Sequence, residues 1–198
     1  MKRWFFIPAI LSMVLALSGC LYIMPVPIPI TESLIEPIVF QLPGTPFPIN
    51  SFAFGSQSIP TLDEIIAEAQ KSSPIQIPDN FQITSVQVKA RVLWESEDGQ
   101  LDLKFYISRD PFTDIPLLIT DPESIEDNEL FNDTILPGEN IFERDSGSTP
   151  AFSMIIDILN SGVSEDINWL ALYDYSATQD STMTIYVSGT VWVKRFVE

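Results

Sequence analysis

The chain has 198 residues, one cysteine, no histidine and a formal net charge of −17. The lack of histidine excludes Ser-His-Asp and Cys-His catalysis, histidine-ligated zinc and histidine pH sensing, and a single thiol excludes thiolate metal sites. The acidic balance makes nucleic acid and anionic headgroups poor partners, while a hydrophobic content of 45% is too high for a wholly disordered chain.

The chain opens on Met1-Lys2-Arg3, and an apolar run over residues 4–17 follows, interrupted by Pro8 and Ser12. About fourteen residues is the length of a signal-peptide core and falls short of the ~20 that a spanning helix needs. The run ends in Leu17-Ser18-Gly19-Cys20. This tetrapeptide resembles the lipobox of bacterial lipoproteins: an aliphatic residue, two small residues, then cysteine. The resemblance covers the leader alone. It implies a diacylglyceryl group on the Cys20 thiol, signal-peptidase cleavage between Gly19 and Cys20, and acylation of the new amine by a chain such as palmitate. Because position 21 is Leu21 and not aspartate, it also implies outer-membrane sorting in a two-membrane bacterium. In a one-membrane bacterium the same protein would sit on the outer face of the plasma membrane.

The cysteine count agrees with this reading, since a lone cysteine in an exported chain has no internal disulfide partner. Two acyl chains anchor stably where one is marginal, at about 0.8 kcal/mol per buried methylene. Removal of residues 1–19 takes Lys2 and Arg3 with it, moves the formal charge from −17 to −19 and leaves 179 residues. That length suits one domain with a sizeable core.

Residues 21–48 carry seven prolines, and Pro25, Pro27 and Pro29 alternate with Val26, Ile28 and Ile30. The pattern favours extended backbone over helix, so residues 20–36 are expected to form a lipidated tether and residues 37–198 a single domain. Ile38–Leu42 and residues 51–54 are short candidate strands. Thr61-Leu62-Asp63-Glu64 is a capping box opening a helix to about Lys71, with Leu62, Ile65, Ile66 and Ala69 on one side. Val86, Val88, Ala90, Val92 and Trp94 then alternate with mostly polar residues, as do Leu101, Leu103, Phe105 and Ile107. An Asp98-Gly99 turn between them predicts a β-hairpin with Trp94 in the core.

Further along, Phe152, Met154, Ile156 and Ile158 alternate as a strand would, ending at Asn160-Ser161-Gly162. A strand over residues 167–175 is apolar on both faces, which suits a covered position. In the last strand Met183, Ile185, Val187, Gly189, Val191 and Val193 face one way, with Gly189 predicting a bulge or bend. Seven or eight strands with one short helix near 62–71 predict an all-β, antiparallel β-sandwich, immunoglobulin-like or jelly-roll.

Residues 110–147 hold eleven carboxylates against one base, Arg144. Calcium wants several oxygens on a bent loop, and Asp121, Glu123, Glu126 and Asp127 are the candidates. They lack EF-hand spacing and its glycine, so the expectation is a solvated, mobile loop and no cofactor. Tyr186 and Trp192 point the same way on the last strand, about 20 Å apart. They are the candidate ligand platform, set against the reading that they cover a neighbouring strand or the tether. The sequence therefore predicts a membrane-anchored, non-enzymatic binding or structural module with an envelope protein or glycan as partner. The alternative is a small carboxylate-dependent hydrolase acting on polysaccharide, which needs two carboxyls at defined separation.

Overall fold

The structure, a computed structural model, describes residues 25–72 and 81–195. The expected signal peptide, Gly19 and Cys20 lie outside the described residues. Within them the strands are β1 (Val26–Ile30), β2 (Ile38–Leu42), β3 (Thr45–Ile59), β4 (Phe81–Glu95), β5 (Gln100–Ser108), β6 (Glu129–Ile135), β7 (Gly138–Asp145), β8 (Glu165–Ala177) and β9 (Ser181–Arg195). The helices are α1 (Leu62–Ser72), α2 (Ile115–Thr120) and α3 (Ala151–Ser161), with 3-10 turns at Glu32–Leu34 and Pro122–Asn128.

The strands form two antiparallel sheets packed face to face. The first runs β1–β9–β4–β7, with β2 also on β9; the second runs β3–β8–β5–β6. β1 and β2 lie end to end along one edge of β9, Ile30 opposite Gly189 and Ile38 opposite Ile185. The pairs β2–β9, β3–β8, β4–β7 and β5–β6 are nested, like one long hairpin folded over itself, and β4–β9 and β5–β8 close each sheet. That winding is a jelly roll, which decides between the two expected sandwich topologies.

Period-two patterning places the core between the sheets. Val86, Val88, Ala90, Val92 and Trp94 of β4 are buried there with Met183, Ile185, Val191 and Val193 of β9. Leu101, Leu103, Phe105 and Ile107 of β5 come from the opposite layer. Buried polar groups need partners, and the Trp94 indole N–H donates to Ser181 Oγ at 3.0 Å. The capping box forms as expected: the Thr61 N–H donates to Glu64 Oε2 at 2.7 Å and the Glu64 N–H to Thr61 Oγ1 at 3.3 Å. It starts α1, which buries Leu62, Ile65 and Ala69.

Five expectations need correction. β4 and β5 are not a hairpin; they belong to different sheets. Asp98 instead ties its turn to the other crossover, accepting from the Thr178 N–H at 3.0 Å and hydroxyl at 2.8 Å. The backbone bond, then the hydroxyl, holds its carboxyl below the usual range. Gly99 takes φ +108° there, where a Cβ would lie 2.1 Å from the Ser176 carbonyl oxygen. The predicted strand at residues 152–158 is α3. Ala151, Phe152, Ile155, Ile158 and Leu159 are buried, a helical spacing, and Gly162 ends the helix at φ +69°.

The expected tether is folded from Val26 onward. Pro27 and Pro29 sit on an edge strand, where a missing N–H is tolerated, and Ile28 is fully buried. The acidic stretch is likewise not one loop, because α2, the second 3-10 turn, β6 and β7 are built from it. Its acids meet bases across the fold: both Asp133 oxygens accept from Arg144 Nη2 at 2.7 Å, and Glu143 lies 3.4 Å from Lys89.

The irregularity expected at Gly189 is not there: Gly189 pairs in register with Val88, and the β4–β9 register shifts between Ile83 and Ser85, opposite Val193 and Trp192. Asn160 at the end of α3 braces that point. It accepts from the Ile83 N–H at 2.8 Å and donates to the Ile83 carbonyl at 3.1 Å. Gly189 itself marks close backbone approach, since a Cβ there would lie 2.2 Å from the Gln87 carbonyl oxygen. Gly189→Ala should therefore cost more than about 3 kcal/mol in denaturant unfolding, well beyond an ordinary surface substitution. A loss below about 1 kcal/mol would show that β4 and β9 can separate there freely.

Candidate functional site

Pairing register carries rows of side chains straight across the outer face of the second sheet. One row is Asn50, Asp174, Asp102 and Thr134, one residue from each strand in the order β3, β8, β5, β6. The next is Phe52, Leu172, Lys104 and Asn132, and then Phe54, Leu170, Tyr106 and Glu129. Part of this face is covered. Phe112, Ile115, Leu118, Ile119 and Ile125 pack on Tyr106, Leu170 and Leu172, forming a second, smaller core.

Two side-chain amides hold this cover down. Asn128 Nδ2 donates to the Ile107 carbonyl and Asn168 Nδ2 to the Arg109 carbonyl, each at 2.8 Å. Burial beneath the cover pushes the Tyr106 phenol up to about 12, with the charges of Glu129 and Glu126 adding to the effect. Burial also raises the Glu129 carboxyl, although Lys104 opposes it.

Beside the cover lies a cleft of about 120 Å³ with Ile119 and Pro122 on one wall and Asn50, Asp102, Lys104, Asn132 and Asp174 among its polar lining. Asp102 accepts from the Thr134 hydroxyl at 2.6 Å and the Gln100 amide at 3.3 Å. Asp174 stands directly opposite Asp102 in the ladder. Like charges in that relation destabilise a sheet. Carboxylates, amides and an ammonium beside apolar carbon suit a hydroxyl- or amide-rich ligand.

The open side of the same face is β3. Phe54 and Phe52 are 62% and 40% exposed, with ring centroids 6.3 Å apart and planes at 16°.

A second cavity, about 90 Å³ and almost wholly apolar, lies between the sheets against Val88, Phe105, Ile155, Trp169 and Val187. It is smaller than the roughly 150 Å³ cavity that admits benzene in an engineered core, and it reads as loose packing.

The residues singled out from sequence fall elsewhere. Tyr186 is on the outer face of the first sheet, with the Arg91 guanidinium 4.1 Å from its ring centroid. Arg91 also donates to both Glu32 oxygens, at 2.8 and 2.6 Å, and lies 3.6 Å from Glu139. This hydrogen bonding holds the Glu32 carboxyl below its usual range, against burial, with the charges of Arg91 and Lys89 adding. The Tyr186 face is thus occupied from within the chain. Trp192, on the same strand, is paired in register with Pro27 and Ser85 and is half-buried.

Asp121, Glu123, Glu126 and Asp127 lie on the second 3-10 turn or at its start. Among the described residues no three acidic, cysteine or histidine side chains are gathered as a metal site would require.

No protein-family model matches the chain, and no curated protein matches it. One solved chain, from a structure of infectious bursal disease virus Gx strain, aligns with 87% of this chain at 13% identity and a TM-score of 0.27. The aligned region spans 38% of that viral chain. A likeness this low carries no argument about function.

Sequence reasoning missed the cleft because Asp102 and Asp174 meet only through strand register. The Phe52 and Phe54 alternation was visible, but its exposure was not. Asp174→Asn should raise thermal stability by about 0.2–1 kcal/mol by removing the like-charge pair. A fall in stability would show that the Asp174 carboxylate is instead held by favourable contacts.

Proposed function

We propose that the chain is the precursor of a lipid-anchored envelope protein whose jelly roll binds and does not catalyse. The observation that carries this is Leu17-Ser18-Gly19-Cys20 at the end of a charged and then apolar leader. It is supported by the lone cysteine, which has no internal disulfide partner. β1 begins at Val26, so a lipid on Cys20 would hold the sandwich close. Six residues span at most about 20 Å. The formal charge of −19 keeps the domain off anionic headgroups, leaving the outer face of the second sheet for an envelope glycan or protein.

The hydrolase reading has one observation in its favour, the opposed Asp102 and Asp174. Two features favour binding. Asp102 is already engaged by Thr134 and Gln100, and both acids are solvent-exposed within their shallow cleft.

Cys20→Ser tests the anchor. Labelling cells with a radiolabelled or alkyne fatty acid should mark the wild type and leave the variant unlabelled, as unprocessed precursor or soluble protein. A variant that stays membrane-bound, labelled and normally processed would overturn the proposal.

A further inference from the structure

A jelly roll has four sheet edges, and unpaired edges invite pairing unless they are short, broken or charged. Three of the edges here are guarded. β1 and β2 form an edge of two five-residue pieces, one holding Pro27 and Pro29. β6 carries Glu129 and Asp133, and β7 carries Glu139, Glu143, Arg144 and Asp145.

The fourth edge is β3, fifteen residues with no charged side chain in a chain that has 27 acidic ones. Its only guards are Pro46 and Pro48 at the start. Among the described residues it is paired on its β8 side alone. Of the eight large apolar side chains left exposed among the described residues, four, Phe47, Ile49, Phe52 and Phe54, lie on it.

We infer that β3 pairs antiparallel with β3 of a second copy of this chain. An acidic protein approaches its own copy most closely through an uncharged strip; β1 and β2 are uncharged but only five residues each, and β3 is the long one. The sequence is also self-complementary about Ala53. In that register Phe52 faces Phe54 of the second copy and Phe54 faces its Phe52, joining four rings on one face, while Ser51 faces Gly55. At 150–250 Å² per aromatic side chain, the exposed apolar groups of β3 supply roughly 400 Å² per copy. The backbone edge of residues 49–59 adds to this, toward the roughly 800 Å² per partner of a standard interface.

The dyad of an antiparallel pair passes through the sheet. Both copies would therefore keep their first sheet, with β1, on the same side, as two copies anchored in one membrane require. The inference rests on the edge and stands whether or not Cys20 is acylated.

Directly opposed residues have Cα atoms about 4.5–5.5 Å apart, within disulfide range. Ala53→Cys in the full-length chain, oxidised in native membranes or detergent, should give at least about tenfold more disulfide dimer than Val163→Cys, whose exposed site is not on β3. Adding Phe54→Lys to Ala53→Cys, a charge on an exposed face that leaves the core intact, should abolish the excess. No excess over Val163→Cys, an excess unaffected by Phe54→Lys, or crosslinking only to another protein would overturn self-pairing. A dimer in the wild-type lane would report a free Cys20 thiol. It would count against the lipid anchor and not against the strand pairing.

Discussion

The fold depends on the ladder between β4 and β9. Both strands are fifteen residues long, and they pair over nearly their whole length. One face of each enters the core, so the ladder sets which residues are inside. Its free sides then place everything else in the first sheet: β9 carries β1 and β2, and β4 carries β7. Gly189 is needed because the Gln87 carbonyl leaves no room for a side chain. Ile83 pairs with Val193 on the β9 side, but β7 pairs with β4 only over residues 87–94, and Asn160 bonds the Ile83 N–H and carbonyl beyond that end. Burying a polar backbone group without such a bond costs about 1–3 kcal/mol, so these two bonds fix the end of α3 to β4.

The strands of this ladder were legible because alternation over a dozen residues fits no other structure. The neighbouring features were not. Phe152, Met154, Ile156 and Ile158 satisfy period two, yet Ala151, Phe152, Ile155, Ile158 and Leu159 satisfy the helical period over the same span. Across ten residues the two patterns coexist, and the better clue was Gly162 at the end. Asp98-Gly99 reads as a hairpin turn locally, but its carboxylate is claimed by Thr178 from across the sequence. The prolines of β1 pointed to extended backbone but gave no sign that it pairs, which an edge position allows. The acids of β6 and β7 looked like a solvated run because Lys89 and Arg91, which meet Glu143 and Glu139, come from β4.

The candidate site was the least legible part because register creates it. Asn50, Asp174, Asp102 and Thr134 come from four strands and form one row only when those strands are aligned. The same register puts Phe52 and Phe54 beside Leu172 and Leu170, which are covered, while the two phenylalanines are open. The outer face of the second sheet thus grades from a capped apolar patch, through a polar cleft, to an uncharged edge. The first sheet offers less. Its strongest cluster, Arg91 with Glu32 and Tyr186, fastens the turn between β1 and β2 and leaves little of the Tyr186 face open.

Residue-resolved amide hydrogen exchange tests the central claim about the ladder most directly. If β4 and β9 organise the molecule, their amides over residues 86–94 and 183–193 open only with global unfolding and are the slowest to exchange. β1, β2 and the cover over the second sheet should open earlier. Fastest protection loss in β4 and β9, with β3 and β8 remaining protected, would contradict it and make the second sheet the organising element.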